Sequence, residues 1–416
     1  MYNLTKENLT DYLKQNLDLL DYSRPLTISA VGEGSEEEDG DGFINFVFRV
    51  SDGTHNIIVK QSRADSRYGG DLNGLPTDRN ELEYDSMMIR KAIVPEYIPE
   101  LYFIDHENSV FVTEDVSYLR IMRFQLIQSK QFDNFTKHIT KYMAAANFYT
   151  SEYYLETADF RDLSVKFMND KMRNIMDIGI FLVKRGEDDH IGRELDPDFA
   201  RFARQIVYDP QVLLERYKLR HLFVTKGECL IHGDLHTSNI FLGEDDMKII
   251  DMEYTFCGPL SYDLGYLLNN FIAQYTAAAF RPFESEEQRR EYQSYILRVI
   301  HDLYTGYCAE FIKCWNMDAK DIYKNIPGLQ EDFVKTTLSE SFGFAASANL
   351  SRCAGSIPFP DFDAIENPVQ KHNAMCLSII ISKQLLLKRC EYDTIDEIVK
   401  DIVEIEAIYK SNITEW

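Results

Sequence analysis

The sequence predicts an α+β protein of two lobes: a small β-rich lobe with one main helix, then a large, mainly α-helical lobe. Two observations carry this. Short runs of Val, Ile and Phe, punctuated by glycine turns, dominate as far as Glu114. After Ser117 the texture changes to long stretches with apolar residues at helical spacing. The boundary between the lobes falls there, giving residues 1–116 to the first and 117–416 to the second.

In chain order, leucines at helical spacing over 4–20 predict a helix with Thr5 as its cap. Strands follow at 26–31, 43–50 and 56–60, separated by Gly32, Gly34, the Gly40-Asp41-Gly42 cluster and Asp52-Gly53. Residues 62–77 are polar and glycine-rich. Asp78 to Ala92 predicts the main helix of the lobe, and 102–104 and 110–114 predict two more strands. Beyond the boundary, helical stretches are expected at 134–155, 197–221, 288–313 and 370–410, with one short β island at 240–251. The apolar run Ala374 to Leu387 is interrupted by Ser378, Ser382, Lys383 and Gln384, so it reads as a core helix rather than a membrane span.

With a formal net charge of -24, the average field of the chain repels polyanions and argues against a nucleic-acid partner. The seven cysteines are scattered and form no C-x-x-C pair, which argues against a disulfide framework and a zinc ribbon and fits a reducing cytoplasm. The polar, amphipathic N-terminus does not read as a signal peptide, and no membrane partner is expected.

The most informative segment runs from Ile231 through His232-Gly233-Asp234-Leu235-His236 to Asn239, then through an apolar strand to Asp251 and Glu253. Phosphoryl transfer needs little covalent chemistry but exact placement of charge. Asp234 fits the carboxylate that accepts the proton of the attacking hydroxyl. Asn239 and Asp251 are oxygen donors of the kind that hold Mg²⁺ on nucleotide phosphates. His232 reads as a residue that holds the loop, while His236 either lines the site or packs. Upstream, Lys60 ends the run Ile57-Ile58-Val59 and would neutralise ATP phosphates, paired with Glu83 on the following helix or, failing that, Glu81. Gly40-Asp41-Gly42 either lets backbone amides approach phosphate or makes a plain hairpin turn. A rival reading takes His232, Asp234 and His236 as ligands of a hydrolytic metal, which requires further ligands such as His301 or His372.

On these residues the chain resembles the aminoglycoside phosphotransferase and choline kinase group, which has a protein-kinase-like fold. Within it, the methylthioribose kinases are the nearest likeness, over most of the chain. The resemblance rests on Gly40 to Arg49, Val59-Lys60-Gln61, Asp78-Arg79 with Glu83, Glu114-Asp115-Val116-Ser117, His232 to His236, Asp251-Met252-Glu253 and Phe256 to Gly265. It implies that Gly40, Asp41, Gly42, Asn45, Lys60 and Glu83 face the nucleotide phosphates, and that the backbone of Glu114 and Val116 holds adenine. It implies a metal or phosphate role for Glu253 and a bracing role for Asp263. Asp234, His236 and Arg352 would contact the acceptor. The chain departs from the family at Ser351, where a second Arg is expected, near Asn73, where a Trp is expected, and in the acidic loop 32–41.

The activity so implied is Mg²⁺- and ATP-dependent phosphorylation of the 1-hydroxyl of 5-methylthioribose, a step of methionine salvage, by a cytoplasmic homodimer. The departures leave open a related pentose such as 5-deoxyribose, or an aminoglycoside, choline or homoserine-type acceptor. The non-enzyme alternative is an inactive nucleotide-binding module, and the intact set Lys60, Asp234, Asn239 and Asp251 speaks against it.

Overall fold

A computed structural model describes residues 2–32, 44–64, 74–182, 197–355 and 359–413. In chain order these form α1 (Leu9–Asn16), β1 (Thr27–Ala30), β2 (Phe46–Ser51), β3 (Asn56–Gln61), α2 (Arg79–Ile93), β4 (Leu101–Asp105), β5 (Val110–Glu114) and β6 (Arg120–Ile121). Next come α3 (Met122–Ile127), α4 (Phe135–Tyr149), α5 (Thr157–Lys166), α6 (Asp170–Ile180), α7 (Pro197–Val207) and α8 (Pro210–Thr225). Then follow β7 (Cys229–Ile231), β8 (Ile240–Leu242), β9 (Met247–Ile249) and β10 (Phe256–Gly258). The chain closes with α9 (Tyr262–Ala278), α10 (Glu286–Asp318), α11 (Leu329–Ala354), α12 (Pro368–Lys388) and α13 (Ile395–Asn412). Single turns lie at Pro95–Tyr97, Asp321–Lys324 and Pro360–Asp363.

Two compact units emerge. The first comprises Met1–Gln125, Asn169–Arg173 and Thr237–Thr255, and so extends past residue 116 and takes in two later segments. The second holds Leu126–Met168, Asn174–His236 and Phe256–Trp416.

The first unit is built on an antiparallel five-stranded sheet in the order β1-β2-β3-β5-β4. Its apolar side chains Phe48, Val50, Ile57, Val59, Val110 and Val112 are buried against Leu9, Tyr12 and Leu13 of α1. That burial removes apolar area from water, the main force favouring the lobe. The first helix starts at Leu9 rather than near Thr5, because Thr5 and Asn8 close a turn on each other: the Thr5 amide donates to Asn8 Oδ1 at 2.8 Å. A smaller sheet, β6-β8-β9, belongs to the same unit.

The second unit is helical apart from the β7–β10 ladder. That ladder was not expected from the sequence, since its two short strands lie on either side of the loop and hairpin, whereas β8 and β9 are joined by a visible turn. Two stretches expected as single helices are each divided. Between α7 and α8, Asp209 caps the new helix by accepting from the amide of Gln211 at 2.9 Å, and Pro210 has no N–H to continue the old one. Between α12 and α13, Thr394 caps in the same way, accepting from Glu397 at 3.4 Å. The apolar run within α12 is a core helix, with Leu377, Ile379, Ile381 and Leu385 fully buried. Among the described residues no helix is long and apolar enough to cross a membrane.

Helices α9 and α11 approach each other closely at Gly265, where an added Cβ would collide with the Ser341 carbonyl oxygen and lie 2.7 Å from Phe344 Cβ. Gly265→Ala is therefore expected to destabilise the protein by about 1–3 kcal/mol through overpacking. Urea denaturation checks this, and a loss below about 0.5 kcal/mol, the level of a surface change, would show that the helices part freely.

Candidate functional site

Lys60 stands on β3, which is hydrogen-bonded on both sides: Lys60 lies opposite Val47 of β2 and Phe111 of β5. Its backbone is thereby fixed, and its buried side chain points at two carboxylates. The ammonium lies 2.8 and 2.7 Å from the two oxygens of Glu83 on α2 and 2.5 Å from Asp251 Oδ1. Burial works against the ammonium, yet Asp251, Glu83 and Glu253 together outweigh it and hold the Lys60 pKa above the ordinary lysine value. Burial, against the pull of Lys60, pushes the Glu83 carboxyl up. Glu81, the other candidate partner, is half exposed and faces His106 at 3.5 Å.

The hairpin β8–β9 sets the second half of the site. Its register pairs Ile240 with Ile249 and Leu242 with Met247, and the turn closes where the Gly243 amide donates to Asp246 O at 2.8 Å. Asn239 precedes β8 and Asp251 follows β9, so the two ends of the hairpin meet: the Ile250 amide donates to Asn239 O at 3.1 Å. Asp251 has φ +67, in the left-handed region that Asp tolerates better than most residues. Lys60, Glu83, Asn45, Asn239, Asp251 and Glu253 line one cavity. Apolar side chains line it too: Val31, Val47, Ile58, Phe111, Ile121 and Ile250. Glu114 and Val116 border it as well, and the chain turns there because Asp115 Oδ1 accepts from the Ser117 amide at 2.9 Å.

Beneath the cavity lies a network that the sequence did not disclose. Glu253 Oε2 accepts from Asn45 Nδ2 at 2.9 Å and from Arg79 Nε at 3.1 Å. Asn45 Oδ1 accepts from Arg79 Nη2 and Ser62 Oγ, both at 2.9 Å. Arg79, fully buried, spends its last nitrogen on the carbonyls of Pro76 and Arg63. Asn169 donates to the carbonyls of Glu253 at 2.8 Å and Thr255 at 2.9 Å. Burial raises the Glu253 carboxyl pKa, while Lys60 and Arg79 pull it back. The pair Asp78-Arg79 was visible in the sequence as a helix start; the position of Asn169 carried no signal.

In the second unit, the loop carrying Asp234 is clamped from the start of α9. Asp263 Oδ2 accepts from the His232 amide at 2.6 Å and Oδ1 from the Gly233 amide at 3.0 Å. Gly233 has φ +87, a conformation that suits glycine. His232 is fully buried and its Nδ1 accepts from the Asp234 amide at 3.3 Å, the holding role expected of it. His236 Nε2 lies 3.4 Å from Asp234 Oδ2, and its ring centroid is 6.4 Å from that of Tyr266. Arg352 lies near the end of α11 with its guanidinium over Phe359 at 4.4 Å. Gly40, Asp41, Gly42 and Asn73 lie outside the described residues.

Two arrangements bear on the metals. Among the described residues no three His, Cys, Asp or Glu side chains cluster as a ligand set, and the supposed extra ligands are engaged elsewhere: His301 with Asp302 at 2.8 Å, and His372 against the Phe199 ring at 5.7 Å. Mg²⁺ on a nucleotide does not need such a cage, because it takes one or two protein oxygens plus phosphate and water. Asn239 and Asp251, lining the same cavity as Lys60, are donors of that kind.

Residues 179–297 match the family described as the phosphotransferase enzyme family. A methylthioribose kinase from Geobacillus sp. (strain WCH70) is 30% identical over 380 residues, covering 90% of this chain and 90% of that protein. The chain belongs to the methylthioribose kinase family. A methylthioribose kinase from Geobacillus thermodenitrificans is 29% identical, over 89% of this chain and 91% of that one. The solved choline kinase from Cryptosporidium parvum covers 98% of the chain at 13% identity with a TM-score of 0.45, a likeness too loose to bear on the site. As a member of the methylthioribose kinase family, the protein is an ATP-dependent small-molecule kinase whose acceptor is a hydroxyl group.

Proposed function

We propose that the protein phosphorylates methylthioribose, taking the phosphoryl group from Mg²⁺-ATP, with Asp234 as the catalytic carboxylate. The observation that carries this reading is the convergence of Lys60, Glu83, Asn239 and Asp251 on one cavity that apolar side chains also line, in a chain whose relatives are named methylthioribose kinases. The apolar part of that lining suits adenine, which the backbone of Glu114 and Val116, lining the same cavity, would hold. Lys60, held by Glu83, would meet the phosphates. Asn239 and Asp251 would hold the Mg²⁺, which when bound offsets the charge of the phosphoryl group in flight. Glu253 would stand behind them, because one of its oxygens is already given to Asn45 and Arg79. Asn45, with its side chain committed there, would face phosphate through its backbone, next to Gly40, Asp41 and Gly42.

In this reading Asp234 accepts the proton of the attacking hydroxyl and orients it. His236, 3.4 Å from that carboxylate, would help to place the acceptor, together with Arg352. That none of the seven cysteines forms a disulfide supports a reducing, cytoplasmic setting. The family resemblance extends the proposal to a homodimer, which analytical ultracentrifugation would check.

A coupled ADP-release assay tests the acceptor, with Mg²⁺-ATP against 5-methylthioribose, 5-deoxyribose, ribose, choline, homoserine and kanamycin. Turnover on 5-methylthioribose well above the rest is the expected result. Preference for another member of the panel would overturn the acceptor and point to Ser351 and Asn73 as marks of a changed pocket. ATP binding without turnover on any of them would favour the inactive module.

A further inference from the structure

Arg216, on α8 in the second unit, is only 1% exposed. Its hydrogen bonds all come from Nη2: to the Ile180 carbonyl at the end of α6 and to Ser351 Oγ on α11, each at 2.5 Å. Ser351 Oγ in turn donates to the same Ile180 carbonyl at 2.8 Å. A guanidinium carries five N–H donors. Nε of Arg216 is buried with no partner, and among the described residues no carboxylate lies within ion-pair reach of the group. The acidic residue of α6 one turn earlier, Asp177, is committed to Arg220 at 2.6 Å. Burial pushes the Arg216 pKa down to about 10, which still leaves the group charged at neutral pH.

The contrast with Arg79 is direct. That arginine is equally buried, but it uses all three nitrogens and faces Glu253. Arg352, next in sequence to Ser351, repeats the anomaly of Arg216: its Nε is buried without a partner and its guanidinium rests on the Phe359 ring rather than on a carboxylate. Among the described residues, then, a protein of net charge -24 holds two arginines with no anionic partner around the end of α11. A buried water would satisfy an N–H but leave the charge uncompensated.

We propose that Arg216 is the centre of a buried anion site, formed with Ser351 and the end of α6, that takes a small monovalent anion of the halide class. A halide is weakly hydrated and accepts from several N–H groups at once. A phosphate or sulfate would lose far more hydration on entering the site.

The probe is bromide, used with the full-length protein. The thermal midpoint is measured in sodium bromide and in sodium gluconate at equal ionic strength. Wild type should rise by roughly 2–4 °C in bromide along a saturable curve. Arg216→Lys should keep part of that rise. Arg216→Met should lose it and be at least as stable as wild type in gluconate, since an uncompensated buried charge has been removed. An equal midpoint in both salts for wild type, or an undiminished rise in Arg216→Met, overturns the proposal in favour of a buried water. Anomalous diffraction from bromide-soaked wild-type crystals decides the matter if the Met variant fails to fold. A peak beside Arg216 Nε supports the site, and its absence from well-occupied soaks refutes it.

Discussion

Asp234→Asn is expected to lower kcat by about 10³-fold while leaving nucleotide affinity unchanged, because it removes the proton acceptor and almost nothing else. Asn has the shape of Asp, so the loop should stay in place. That loop is held through the amides of His232 and Gly233 by Asp263, and through the Asp234 amide by His232, none of which involves the Asp234 carboxylate. The proposed nucleotide contacts, Lys60, Glu83, Asn239 and Asp251, line a cavity of the first unit to which Asp234 does not belong. Single-turnover kinetics and calorimetric titration with ADP separate the two effects. A kcat within about tenfold of wild type would remove Asp234 from the catalytic role. A parallel loss of ADP binding would show that the substitution had disturbed the fold instead.

Arg79→Met should be the most destabilising of the single changes considered, by about 3–5 kcal/mol, since removing one partner of a buried pair leaves the other charge uncompensated. Here the stranded group is Glu253, 2% exposed, whose carboxyl already suffers from burial and from the nearby Asp251. Asn45 Oδ1 and the carbonyls of Arg63 and Pro76 would lose donors as well. Adding Glu253→Gln to Arg79→Met should recover part of the loss, because the amide can be buried at lower cost and still accept from Asn45. Chemical denaturation of the four proteins closes the cycle. A loss under about 1 kcal/mol for Arg79→Met, or strict additivity, would show that the network relaxes into water.

The parts of this site that were legible in the sequence are those whose chemistry is read over short spans. Asp234 and Asn239 share one loop, and Asp251 follows Asn239 across a hairpin, so spacing alone brings the last two together, and the Ile250 amide on the Asn239 carbonyl shows how. Lys60 could be paired with a glutamate of the following helix, Glu83 or failing that Glu81, because a strand Lys and a helix Glu are complementary charges on neighbouring elements, and it is Glu83 that meets it at 2.7 Å. The strands at 46–51, 56–61 and 110–114 were readable because alternation and glycine turns are local signals. The strands β7 and β10 were not, since they pair with each other across the whole loop and hairpin rather than with a sequence neighbour.

What the sequence by itself determined is the β-rich to helical succession, the loop and hairpin on which the kinase reading rests, and the facing of Lys60 by a glutamate of the following helix. Each of these follows from residue type and from spacing within about one supersecondary unit. What only the tertiary structure decided is how buried polar groups are satisfied. Asn45 and Glu253 are joined across 208 positions, Asn169 reaches the carbonyls of Glu253 and Thr255, and Arg216 donates to the Ile180 carbonyl and to Ser351 Oγ. The physical reason is that a hydrogen bond is satisfied within about 3 Å regardless of chain distance, and a one-dimensional pattern does not record which distant donor fills an acceptor once water has been excluded.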